Sequence, residues 1–247
     1  RISALYAARN FQPVWTSRHD QRARINKLRE RLQEADNDGL DPGRYEFEAL
    51  QATHSSATEL AHADLLATRA YVTFLLDLHA SSKEAAAKRH PSARKQTLTD
   101  LAGALAAAAQ TEDLEAHLAG IGPRHHIYKG MRTALARYRT LARAAGWPRL
   151  PTGPTLKPGM QHRQIPVLRE RLFATGDLLE ATLDSDWYDA QLQTAVQTFQ
   201  SRHGLEVDGH VGPKTRSALN VGVEQRISQL VINLERARWL PVDLGKT

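Results

Sequence analysis

The sequence predicts a mainly α-helical protein built in two parts, and three observations carry that expectation. Apolar residues recur at helical spacing through most of the 247 residues. Strand-type alternation is missing, except for one short candidate near the C-terminus. A segment dense in proline and glycine, GWPRLPTGPTLKPG at 146–159, divides the chain. The length suffices for one large domain or two smaller ones with a proper core.

Residues 1–16 open with a short helix and offer Tyr6, Phe11 and Trp15 as apolar anchors; Pro13 ends any helix at or before Gln12. A basic amphipathic helix follows over 21–35, with Ile25, Leu28 and Leu32 on one face. Asp36-Asn37-Asp38-Gly39 stops it, and LDPGRY turns into a short helix at 45–50. The acids suggest a calcium loop, but the twelfth position from Asp36 is Phe47, where a closing glutamate is required.

Residues 57–81 form the longest apolar pattern, including Leu60, Leu65, Leu66, Tyr71, Val72, Leu75, Leu76 and Leu78. Hydrophobicity nearly all round predicts a buried central helix ~37 Å long. Residues 82–96 are polar and read as exposed. Alanine-rich helices are expected over 98–109 and 111–118, then a break at Gly120-Ile121-Gly122-Pro123. A helix over 126–145 carries Met131, Leu135, Tyr138 and Leu141, and the pair His125-His126 before it reads as solvent-exposed.

The stretch 188–221 is the most informative. Leu192, Ala195, Val196 and Phe199 make one helical stripe, with Asp189 placed as its N-cap. Gly204 supplies a left-handed position after the helix, and Leu205 folds back on it. Asp208-Gly209 is a tight-turn dipeptide. Gly212-Pro213 opens a second helix, which returns Ala218 and Leu219 to the core. An amphipathic helix resumes over 223–239 through Ile227, Leu230, Val231 and Leu234, and Pro241 ends it.

Composition narrows the function classes. Hydrophobics at 41% and charged residues at 24% are ordinary for a globular protein. No apolar run approaches the ~20 residues of a membrane-spanning helix. The chain opens on Arg1 without an initiator methionine or signal segment, which reads as a trimmed fragment or mature form. There is no cysteine, so disulfides, thiolate metal sites and cysteine nucleophiles are excluded from these residues. The net charge of +6 raises nucleic acid as a partner. However, residues 155–221 are near neutral and the excess lies in the N-terminal part, where a solvated arginine-rich surface is the plainer explanation and attraction to an anionic cell-wall or membrane surface the other.

The string AV-x-x-FQ-x-x-x-GL-x-x-DG-x-VG-x-x-T-x-x-AL at 195–219 closely resembles the peptidoglycan-binding module of bacterial cell-wall enzymes. LKPG at 156–159 and Ile165, Leu168 and Leu172 extend the likeness to a three-helix unit. A second resemblance covers almost the whole chain. YAARNFQPVW, NDGLDPGRY, ADLLATRAYVTFLLDL, YRTLARAAGWPRLP and NLERARWLP are similar, in this order, to segments of YcbB-like L,D-transpeptidases. This likeness implies a helical scaffold over 1–152 and 222–247, with the peptidoglycan-binding module, 155–221, inserted or appended. It also implies a periplasmic or cell-envelope location in a Gram-negative bacterium. That family's catalytic domain uses a cysteine with a histidine, and this chain has no cysteine. No transpeptidation is therefore expected of these residues. Arg236, Arg238 and Trp239 are expected to contact such a catalytic domain, which would leave Trp239 partly exposed here.

For the ligand, the polar loop residues Gln200, Arg202, His203, Asp208, His210 and Thr215 suit the carboxylates, amides and hydroxyls of muropeptides. For Gln200 and Thr215, bracing of the loop is the stronger expectation, and Asp208 fits a staple accepting N–H groups around Gly209 and Gly212. His203, Asp208 and His210 lack the further ligand a zinc site needs, so neither metal nor cofactor is expected. Asp184, Asp186 and Asp189 could suggest a cell-wall hydrolase, but capping accounts for them. A helix-turn-helix nucleic-acid-binding protein is the other alternative. The connection from Gly204 to Gly212 is long for that motif, and Lys214 and Arg216 alone serve phosphate.

Overall fold

Ten α-helices and three short 3-10 turns account for most of the described residues, in which no strand occurs, only two isolated bridges. The computed structural model describes residues 2–16, 20–51, 56–87, 91–144, 146–179, 183–238 and 240. Side-chain surroundings are described for these except at 51, 79–87 and 91–99. The chain divides into two compact units, residues 1–135 with 230–247, and residues 136–229. None of the described helices is long and apolar enough to cross a membrane.

In the first unit, α1 (Ile2–Ala7) and α2 (Gln21–Gln33) precede 3-10 turns at Glu34–Asp38, Pro42–Tyr45 and Phe47–Gln51. The long helix α3 (Ala57–Ala87) then packs on α4 (Pro91–Gln110), and α5 (Leu114–Ala119) closes against α2. The helical run passes both ends of the polar stretch at 82–96, because SSKEAAA and PSARK contain good helix formers that need no apolar face. The expected exposure of that stretch falls on side chains outside the described set.

α3 is not apolar all round. Leu65 is exposed, while the inward face carries Asp64 and Thr68 among Ala67, Tyr71, Phe74 and Leu78. Asp64 is only 3% exposed. Its carboxylate accepts the successive backbone N–H groups of Val14, Trp15 and Thr16 at 3.0, 2.7 and 2.9 Å, and the phenol of Tyr6. Thr68, one turn on, accepts from Trp15 Nε1 at 3.0 Å and bonds Tyr6 Oη at 2.8 Å. Burial, reinforced by Asp64, pushes the Tyr6 phenol well above its ordinary value, so it stays a donor. Tyr6 and Trp15 are thus anchors as expected. Phe11 is not: its backbone sits at φ 57° in a tight turn, and the ring is exposed.

Two arginines of the basic helix α2 are buried instead of solvated. Arg24 donates to the carbonyls of Ala108 and Thr111, where α4 ends. Arg31 reaches Leu118 O at the end of α5 and pairs with Asp38 at 2.7 Å. Each places positive charge at the C-terminal end of a helix, where the dipole is negative. Asp38, in the acidic turn, also accepts from Tyr128 Oη at 3.0 Å and lies 2.8 Å from Arg132 Nε, both on α6 (His126–Arg143). His125, expected at the surface, is buried. Its Nδ1 accepts the Tyr128 N–H at 3.1 Å, so Nε2 carries the proton toward Ala237 O at 3.1 Å.

The second unit contains α7 (Ile165–Thr175), α8 (Ala190–Arg202) and α9 (Pro213–Leu219), followed by the start of α10 (Val223–Ala237). Leu168, Leu172, Leu192, Val196, Phe199 and Leu219 form its core. Arg171 is buried at the centre. It donates to Leu219 O at 2.8 Å, and its guanidinium lies 4.2 Å from the Trp147 ring centroid. Burial lowers its pKa to about 10, so it remains charged at neutral pH. The proline-rich segment is bonded along its length: Trp147 Nε1 donates to Val221 O, and Leu150 N to Asn220 Oδ1. The short C-terminal strand candidate, Pro241 and Trp239 lie outside the described residues. Arg236 is exposed, whereas Arg238 is turned inward with Nη1 3.4 Å from Asp38 O.

Replacing Asp64 by alanine strands several buried donors at once, so Asp64→Ala should cost about 3 kcal/mol or more. Urea unfolding and amide exchange at Val14–Thr16 check this. An unchanged midpoint with protected amides would show that Asp64 does not hold the N-terminal segment.

Candidate functional site

α8 starts where the sequence places it, because Asp189 Oδ1 accepts the Leu192 N–H at 2.8 Å. Arg169 bonds the other carboxylate oxygen at 2.5 Å. Burial alone would raise the Asp189 pKa, but the Leu192 N–H and Arg169 together hold it below its ordinary value. The helix ends at His203, and Gly204 takes φ 63°, which lets Leu205 N return to Gln200 O at 2.9 Å. The ten residues 203–212 then lead to Gly212 and Pro213, the N-cap and first residue of α9.

Gln200 organises this loop from below. It is 1% exposed, and its amide nitrogen faces Asp208 Oδ1 at 2.7 Å, His210 O at 3.0 Å and Thr215 Oγ1 at 3.2 Å. Its carbonyl accepts the Gly209 N–H at 2.9 Å. Gly209 has φ 71°, which favours glycine, and a Cβ there would crowd the Gln193 side chain at 3.0 Å. Thr215 is buried beside Gln200. These two of the six predicted site residues brace the loop and face inward.

The other four reach the surface. Asp208 is exposed, and its Oδ1 accepts the His210 N–H at 2.8 Å as well as the Gln200 amide. Those two donors, in that order, hold its carboxyl below the usual range. It is a staple, but its backbone partner is His210; Gly209 bonds Gln200 instead. His210 Nδ1 lies 3.6 Å from Asp208 Oδ2 at the loop edge. Arg202 is exposed and pairs with Asp177 at 2.7 Å. His203 is half-buried, stacked on Phe199 with ring centroids 4.0 Å apart, and its Nδ1 lies 2.8 Å from Phe199 O. Burial pushes its pKa down from 6.5.

The arrangement presents a cation, two imidazoles and a carboxylate at the end of α8 and along its loop. Such groups can bond carboxylates, amides and hydroxyls; they do not form a general acid–base pair in a cleft. No group of three or more His, Asp or Glu among the described residues could hold a metal ion. Arg216 is buried under the loop, donating to Pro151 O and Pro154 O at 2.6 Å each and to Gln164 Oε1 at 2.9 Å. It is therefore not free to meet phosphate. Sequence reasoning passed over Trp187, which is half-exposed in the segment leading into α8. A tryptophan between Asp186 and Tyr188 in a polar stretch is the signal that could have found it.

Two families of known proteins match the chain. A Scaffold domain covers residues 1–135, and a peptidoglycan binding domain covers residues 161–219, which include all six predicted site residues and Trp187. No curated protein matches it.

One buried carboxamide makes several of the loop's bonds, so Gln200→Leu should destabilise the second unit by about 2–3 kcal/mol through unpaired Gly209 and Thr215 groups. Its pH response follows from His203. With a folded-state pKa below 6.5, the unfolded chain binds more protons beneath that value. Stability should fall as pH drops below about 6.5 and level off beneath the folded pKa. Denaturant titrations at several pH values, with His203→Gln as the flattened control, measure both effects.

Proposed function

The chain belongs to the Scaffold domain family, whose model spans more than half of it, and from that membership we propose a wall-docking role within an L,D-transpeptidase-like protein. In this reading residues 1–152 with 222–247 are the scaffold, and residues 155–221 are the module that docks on peptidoglycan. The peptidoglycan binding domain match over residues 161–219 supports peptidoglycan binding and a cell-wall-associated protein. The transpeptidase context rests on the order of the YAARNFQPVW, NDGLDPGRY and NLERARWLP segments and on the family membership. On this reading the protein works in the periplasm of a Gram-negative cell.

The observation that carries the reading is the loop after Phe199, braced by Gln200 while Arg202, Asp208 and His210 face outward and the half-buried His203 reaches the surface beside them. A surface fixed before the ligand arrives loses little entropy on binding. Arg202 and the imidazoles suit the carboxylates of stem peptides, and Asp208 suits amide and hydroxyl donors. No L,D-transpeptidation is proposed for these residues, since the cysteine thiolate that it uses is not among them. Arg236 is the exposed group offered to a catalytic domain; Arg238 is committed to Asp38 O. A nucleic-acid reading is disfavoured because Arg216, the central cation of α9, is consumed by Pro151 and Pro154.

Purified sacculi should retain the full chain on sedimentation. His210→Ala should weaken retention by about three- to tenfold with little loss of stability, and Arg202→Ala should weaken it similarly while also costing stability through the buried Asp177 it leaves unpaired. Tetrapeptide stems should not be turned over, and no soluble fragments should be released. Loss of the protein to the supernatant at all sacculus concentrations would overturn the reading.

A further inference from the structure

The segment before α8 holds a side chain that neither loop bracing nor the core explains. Extended backbone sends consecutive side chains to opposite sides. Tyr188 points inward, buried, and its phenol donates to Gly209 O at 2.7 Å, which ties this segment to the glycine loop. Trp187 points outward and is 49% exposed.

Its backbone is fixed on several sides. Trp187 pairs with Gln161 in an antiparallel bridge, flanked by His162 N to Asp186 O at 2.9 Å and Tyr188 N to Met160 O at 2.8 Å. From beneath, the fully buried Arg169 donates to Trp187 O at 2.8 Å and Ser185 O at 3.2 Å. An indole is thus displayed on a frame held in place by a buried guanidinium.

The groups around it define what it can take. Gln161 Nε2 donates to both oxygens of the Asp186 carboxylate, at 3.1 Å each. This fixes the pair at the surface and leaves Gln161 Oε1 and the remaining Asp186 lone pairs as acceptors. A flat apolar face beside carboxylate and amide acceptors matches a pyranose ring, which offers one C–H face and a rim of hydroxyl donors. Nucleobases could also stack on an indole, but such sites pair it with a cationic groove. Here the carboxylates of Asp184 and Asp186 precede it.

We propose that Trp187 is a sugar-stacking platform, taking a ring of the peptidoglycan glycan strand with Asp186 and Gln161 as hydroxyl acceptors. This rests on the peptidoglycan-binding reading above and adds to it a contact with the glycan instead of the stem peptide.

The test uses the full chain with two probes: intact sacculi, and glycan strands freed of stem peptides by amidase digestion. Wild type should bind both, and Trp187→Ala should bind the stripped strands about thirtyfold more weakly, as for a tryptophan anchor that the ligand covers on binding. Trp187→Phe, which keeps a smaller ring, should fall between them. Wild-type affinity of W187A for stripped strands overturns the platform, as does wild-type binding to sacculi with none to stripped strands; either leaves wall docking intact. Failure of wild type on both probes overturns the docking reading and this one with it. Circular dichroism checks the fold of each variant. Should W187A lose helix, Asp186→Ala decides: about threefold weaker binding to stripped strands supports the site, and no change overturns it.

Discussion

A helical chain without cysteine has no disulfide to hold its irregular segments, and its described residues offer only two isolated bridges in place of a sheet. Those segments still carry backbone donors and acceptors that must be paired once water is excluded. The same solution appears in both units: a buried polar side chain stands in for the missing ladder. Asp64 collects the N–H groups of residues 14–16, Gln200 both donates and accepts within the glycine loop, and Arg216 collects the carbonyls of Pro151 and Pro154. Because an unpaired buried group costs more than a paired one gains, these few atoms fix the loops firmly.

That solution changes what the positive charge means. Arg24, Arg31, Arg169, Arg171, Arg216 and Arg238 are all buried, and the described bonds of each include at least one backbone carbonyl. Guanidinium suits the task, since its fork reaches two or three carbonyls and it is less strongly hydrated than an ammonium. A basic composition therefore reports partly on internal capping, and the net charge of +6 overstates the pull on a polyanion.

Periodicity located the helices because burial demands it: the stripe Leu192, Ala195, Val196 and Phe199 is buried throughout, with Asp189 and Pro213 at the expected ends. What pattern could not show was polarity inside the core. Asp64 and Thr68 lie one turn apart among the apolar positions of α3, and a hydrophobic pattern treats them as interruptions instead of the reason for that face. His125 was missed likewise, since its partner Ala237 is 112 residues away. Phe11 failed in the opposite direction, because a positive φ turned its ring outward against its hydrophobicity. Helix ends at 87 and 91 were obscured because solvent-tolerant helix formers leave no periodic signal.

The candidate site divides along the same line. Gln200 and Thr215 belong to the most recognisable part of the motif, yet their bonds are consumed inside the loop. A group so engaged can meet a ligand only by breaking what holds the surface in place, at a cost that recognition would have to exceed. Positions that build the site are strict because geometry leaves them one answer. The positions proposed to meet the ligand, Arg202, His210 and Trp187, have side chains that reach the surface and that the core does not dictate. A motif therefore locates such a surface more securely than it identifies the atoms that touch the wall, and those atoms have to be sought beside the strict positions.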